Sequence, residues 1–114
     1  MADTQLELEE NRVKQRDRVA QVLPDVMQCV GSLTAEVYKD GFLSCRVKRL
    51  MALAVALGTG CQNCILSQTM EALENGATKE EILETISVVV SMRGTTGVGE
   101  SLRVVHLLDE LGKL

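Results

Sequence analysis

Apolar residues recur at spacings of three and four along most of this 114-residue chain, and the short intervals between such segments carry glycine or proline. The pattern predicts helices joined by tight turns. From Asp3 to Gln21 the chain is charged along its length with thin apolar spacing (Leu6, Val13, Ala20), which predicts a weakly amphipathic helix left to pack late or against another subunit. Pro24 opens a second helix towards Lys39, with Val26, Met27, Val30, Leu33 and Val37 at helical spacing. Ser44 stands where it can cap a third helix, from about Cys45 to Leu57. The second half of that helix, "LMALAVAL", has no polar face and is expected at the centre of the fold.

After "GTG" a fourth helix is predicted from about Cys61 to Glu74, stopped by Asn75-Gly76. Thr78 and Glu81 make a capping-box pattern ahead of Ile82, Ile86, Val89 and Val90, so a fifth helix outweighs the strand preference of Val88 to Val90. "RGTTGVGE" reads as a glycine-rich turn, and Leu102, Val105, Leu108 and Leu111 mark a last helix. The expectation is an all-α chain of five or six helices forming one domain over residues 1–114, with no strand, internal repeat or domain boundary.

Composition narrows the chemistry. Tyr38 and Phe42 are the only aromatic residues, too few for base-stacking platforms or an aromatic sandwich around a flavin. Sixteen acidic against twelve basic residues give a formal charge of -4, the wrong sign for nucleic acid as a partner. No apolar run approaches the roughly eighteen residues that suggest a membrane span. The charged first twenty residues lack both the apolar core of a signal peptide and the acid-poor character of a transit peptide, so a cytoplasmic location is expected. In that reducing setting the four cysteines point to catalysis, metal binding or inert packing rather than a disulfide framework.

Two of them, Cys61 and Cys64, stand in "GTGCQNCILSQ", where a glycine turn becomes a helix. The spacing admits a redox dithiol, half of a metal site, or two small core residues. Position favours the first: unpaired backbone N–H groups and the positive end of the helix dipole stabilise a thiolate there, and positions i and i+3 are close enough to close a disulfide. A zinc site needs two more ligands, and Cys29 and Cys45 stand singly with no paired histidine, so they read as small apolar residues on helix faces. "RGTTGVGE" lacks the Gly-Lys-Ser/Thr ending and the preceding strand of a phosphate loop, and "ELEE" and "KEEILE" read as solvated helix faces.

From Lys48 to Gly94, "KRLMALAVALGTGCQNCILSQTMEALENGATKEEILETISVVVSMRG" resembles the core of the alkylhydroperoxidase AhpD-like, or carboxymuconolactone decarboxylase, family. The resemblance rests on the apolar helix, the Gly-Cys-x-x-Cys turn, the Gly-Ala-Thr turn, the "KEEI" start and the glycine-rich break, over about two fifths of the chain. It implies antiparallel core helices and assembly into trimers or hexamers. It further implies a dithiol that reduces a peroxide or the disulfide of a partner protein. A thiol reductant must then regenerate the pair, the scheme requires no organic cofactor, and the sequence carries no motif for a cofactor and no ligand set for a metal.

Peroxidase-type members of that family place a glutamate twelve residues before the first cysteine and a histidine four after the second, as a proton relay. Here Arg49 and Gln68 occupy those positions. Gln68 makes hydrogen bonds but does not exchange a proton near neutral pH, and Arg49, never a base, is a candidate fixed positive charge beside the thiolate. The candidate catalytic residues are therefore Cys61, Cys64, Gln68 and Arg49. The helix dipole favours Cys61 as the attacking sulfur, whereas the relay position one turn after the second cysteine favours Cys64. Glu100 and His106 are candidates to replace the relay if folding or a neighbouring subunit brings them to the dithiol; His106 otherwise reads as a rim residue of the last helix. Two other functions remain open: lactone decarboxylation, which needs no Cys-x-x-Cys, and a non-enzymatic oligomeric redox sensor.

Overall fold

The computed structural model describes residues 4–114. Its helices are α1 (Gln5–Val22), α2 (Pro24–Val37), α3 (Cys45–Thr59), α4 (Gln62–Glu74), α5 (Lys79–Arg93) and α6 (Thr95–Glu110), and no strand occurs among the described residues. The starts are set by local polar chemistry. Thr78 Oγ1 accepts the Glu81 N–H at 3.1 Å while Glu81 Oε1 accepts the Thr78 N–H at 2.9 Å, the reciprocal capping box its sequence predicts. Thr4 and Glu7 cap α1 in the same way, and Ser44 Oγ accepts from the Val47 N–H at 3.2 Å to start α3.

The core forms where α3 packs against α4, α5 and α6. Leu53, Leu57, Ile65, Ile82, Val104 and Leu108 are fully buried there, each contributing roughly 1.5–3 kcal/mol of hydrophobic stabilisation. α1 closes one side: the Glu110 carboxylate at the end of α6 accepts the N–H groups of Gln5 at 3.1 Å and Leu6 at 2.9 Å, pinning the positive end of α1. Along α1 it is polar residues, Gln5 and Glu9, that are buried. Glu9 forms a two-point pair with Arg12 at 2.6 and 3.0 Å, and that hydrogen bond, against the opposing effect of burial, holds the Arg12 pKa above its ordinary value.

An expectation from the sequence is corrected. "RGTTGVGE" is not a loop: Gly94 alone breaks the chain, and α6 begins at Thr95. Gly97 lies inside that helix, and a Cβ on it would meet Val90 Cα at 3.2 Å and the Val89 carbonyl oxygen at 3.3 Å. Glycine here permits the close approach of α5 and α6 rather than ending a helix. Within α6, Gly97, Ser101, Val104, Leu107 and Leu108 face inward, while Leu102 and Val105 face outward. Gly97 and Ser101 carry no hydrophobic signal; the Ser101 hydroxyl is buried because it donates to the Gly97 carbonyl at 2.7 Å.

α3 is central on one face only. Its other face presents Met51 and Val55, beside Val88 and Met92 of α5, and all four are exposed. α2 packs mainly on α1, leaving Val26, Val30, Leu33 and Val37 exposed at helical spacing. No described helix is long and apolar enough to cross a membrane.

Candidate active site

The last turn of α3 runs directly into the first turn of α4. Gly60, at φ +76°, takes the left-handed conformation that glycine adopts at little cost. The N–H groups of Gly60 and Cys61 both point back to the Ala56 carbonyl, at 2.9 and 3.2 Å. Cys61 is thereby held as the cap of α4, with its Sγ accepting the Cys64 N–H at 3.3 Å. Its Cα lies 5.2 Å from that of Cys64, and the two sulfurs are joined as a disulfide. Cys61 is half-buried and Cys64 is exposed. When the pair is reduced, a Cys61 thiolate in this position has the Cys64 N–H and the positive helix end to stabilise it. Cys29 and Cys45 are free and lie elsewhere, the first exposed on α2 and the second in the first turn of α3.

Neighbouring helices brace the turn. Arg93 of α5 donates from Nη1 to the Leu57 carbonyl at 2.8 Å, putting a positive charge at the negative end of α3. Glu100 of α6 covers the other side, where a Cβ on Gly60 would meet the Glu100 Cδ at 3.7 Å and both carboxylate oxygens at 3.8 Å. Folding has thus brought Glu100, one of the two relay substitutes considered from the sequence, against the residue preceding Cys61. His106 is exposed, and its Nε2 faces Glu110 at 3.6 Å.

Arg49 and Gln68 meet across α3 and α4, the Arg49 Nη1 donating to Gln68 Oε1 at 3.1 Å. Arginine has only donors, so Gln68 must turn its carbonyl to Arg49, which leaves its NH2 group as the free end. Gln68 is one helical turn after Cys64, and residues so spaced are neighbours on a helix face. Arg49 is nearly buried, with 11% of its side chain exposed; Nη2 faces Glu71 at 3.6 Å and the guanidinium lies 3.6 Å from the centroid of the Tyr38 ring. The sequence reading missed Tyr38, Glu71 and Arg93 in these roles. No local motif marks them, since each acts through a contact between helices. A cleft of about 440 Å³ opens beside this group, lined by Arg12, Arg16, Tyr38, Arg49, Ser67 and Gln68 among others. A larger cleft of about 550 Å³ between α1 and the second half of α4 contains no cysteine.

Fold and site together define a small helical protein with a cysteine pair at the start of a core helix. A model of the carboxymuconolactone decarboxylase family matches residues 24–107, and the chain belongs to that family. An uncharacterised protein of Cupriavidus necator is 30% identical over 98 residues, spanning 86% of this chain and 87% of that protein. An uncharacterised protein of the cox locus of Paracoccus denitrificans is 38% identical over 80 residues, 70% of this chain and 72% of that one. Among solved structures, a carboxymuconolactone decarboxylase family protein of Legionella pneumophila superposes with a TM-score of 0.88 at 27% identity, covering 96% of this chain and 97% of that one. A carboxymuconolactone decarboxylase family protein of Thermotoga maritima with a suggested part in an antioxidative response matches with a TM-score of 0.75 at 26% identity over 90% of this chain and 86% of that one.

The Arg49 contacts predict that Arg49→Ala lowers stability by about 1–3 kcal/mol, because Gln68, Glu71 and the Tyr38 ring lose a shared, mostly desolvated partner. Urea unfolding followed by circular dichroism measures this; a midpoint equal to that of the unaltered protein would show the network to be idle.

Proposed function

We propose that Cys61 and Cys64 are a two-electron redox couple that reduces a peroxide or the disulfide of a partner protein. The observation that carries this reading is the dithiol's placement: the two sulfurs are within bonding reach at a helix N-terminus, one of them exposed. A structural cross-link over three residues adds little, because the loop it closes is already fixed by the capping hydrogen bonds. With a peroxide, one thiolate attacks oxygen, the O–O bond breaks, and the alkoxide leaves with the electron pair and takes a proton to become an alcohol. The second sulfur then displaces hydroxide from the sulfenic acid, giving the disulfide and water. With a partner disulfide, the same two attacks pass the oxidised pair from partner to protein. A cellular dithiol reductant, in a reducing compartment such as the cytoplasm, restores the thiols, and the scheme needs no organic cofactor.

In this scheme Gln68 acts as a donor. Its free NH2 stabilises negative charge developing near Cys64, and Arg49 holds it in that orientation, acting as a positioning residue more than as a direct partner of sulfur. Decarboxylation of a lactone acid finds no comparable support, since it gives the cysteine pair no role. Peroxide consumption and disulfide reduction should both be lost, by at least about a hundredfold, in Cys61→Ser and in Cys64→Ser. Lactone-acid turnover surviving both changes would point to the decarboxylase instead. Reversible disulfide formation without turnover would point to a sensor.

We also read the exposed apolar faces of α2 and of α3 with α5 as contacts between copies in a trimer or hexamer. Single exposed apolar residues are ordinary, but Val26, Val30, Leu33 and Val37 form one face, and Met51, Val55, Val88 and Met92 another. Light scattering should give a mass of three or six chains, reduced by Val30→Lys or Met92→Lys. A monomer at micromolar concentration contradicts this.

A further inference from the structure

We propose that Glu100 carries the protons of the dithiol, supplying from α6 what Arg49 and Gln68 cannot; the proposal rests on the redox function above. Three observations converge on it. The carboxylate lies over Gly60, with both oxygens 3.8 Å from where a Cβ there would stand, which puts it against the backbone that leads into Cys61. It is half-buried, and no hydrogen bond or ion pair joins its oxygens to another described residue. It also lines a cleft of about 270 Å³ with Gln5, Gly99, Leu102, Arg103 and His106, which gives a proton a route away from the turn.

The groups around it sharpen the assignment. The last turn of α3 and the first turn of α4 bring Thr59, Gln62 and Asn63, none of which exchanges protons. α5 brings Arg93, which is bonded to the Leu57 carbonyl. α1 brings Gln5, whose buried Oε1 has no hydrogen-bond partner among the described residues. On α6 itself, Arg103 is permanently charged, and His106 is exposed beside Glu110. Apart from the two sulfurs, Glu100 is therefore the one group at the turn, among the described residues, that can both take and return a proton.

The protons balance over the cycle. The attacking thiol gives its proton to Glu100, directly or through one water, as its sulfur bonds to the peroxide oxygen and the O–O bond breaks. Glu100 returns that proton to the departing alkoxide. It next takes the proton of the resolving thiol and delivers it to the hydroxide displaced from sulfenic acid. The dithiol ends as a disulfide, the peroxide as alcohol and water, and Glu100 as the carboxylate it was.

Glu100→Gln in the full chain tests this with two readouts, because glutamine keeps the shape and Glu100 pairs with no other described residue. Turnover of hydrogen peroxide or of a model disulfide should fall by about ten- to a hundredfold, with Glu100→Asp recovering part of the loss. Alkylation of the reduced dithiol by iodoacetamide, which needs only the thiolate, should move the opposite way. Removal of a nearby negative charge favours ionisation, so the rate at neutral pH should rise about twofold and the titration midpoint should shift to lower pH. A merely structural role would slow turnover without that shift. An unmoved alkylation midpoint overturns the proposal, even if the unaltered protein turns over neither substrate and the redox function itself fails. Turnover within twofold of the unaltered protein also overturns it.

Discussion

The Gly60 turn is the constraint on which the rest of the structure depends. One residue in the left-handed conformation lets α3 end and α4 begin with no intervening loop, and the Ala56 carbonyl collects the two N–H groups that fix the junction. The consequence is chemical as well as structural. Cys61 becomes the cap of α4 through its sulfur, a role usually filled by oxygen, and Cys64 lies one turn further on within bonding reach. The core rows on α3 and α4, led by Leu53, Leu57 and Ile65, hold the two helices in contact on either side of the junction. Packing therefore fixes the backbone at the turn, and the turn fixes the sulfurs.

In the proposed scheme the hydrogen-bond donor and the proton carrier stand on different sides of the dithiol. On the side of α1 and α2, Arg49 orients Gln68 so that only its NH2 remains to be offered, a neutral donor that cannot act as a base. On the side of α6, Glu100 presents its carboxylate to Gly60. Family members of the peroxidase type gather both duties into a Glu and a His at the positions of Arg49 and Gln68. In this chain those positions have become an ion pair and an amide, and the carboxylate arrives from another helix.

Much of the fold was legible because helices announce themselves locally. Thr78 with Glu81, Ser44, Pro24 and the three-and-four spacing of Ile82, Ile86 and Val89 each act within one or two turns of chain. The first half of α6 was not legible. Its glycines look like breakers in sequence, and only the approach of Val89 and Val90 shows why Gly97 belongs inside a helix. The outward face of α3 was misjudged in the same way, because an apolar row records that something covers it and not whether that cover comes from the same chain. At the site, the dithiol was visible from its spacing. The partners of Arg49 and the seat of Glu100 were not, because both depend on which helices meet.

The central claim is that Cys61 and Cys64 cycle between dithiol and disulfide in the folded protein. Equilibrating the protein in graded dithiothreitol buffers, quenching with a thiol-trapping reagent and weighing it by mass spectrometry tests this most directly. The account predicts one reversible two-electron transition confined to Cys61 and Cys64, with Cys29 and Cys45 trapped as free thiols throughout and the helical circular dichroism unchanged. Independent single-thiol behaviour at the two sites, or reduction only on unfolding, would contradict it.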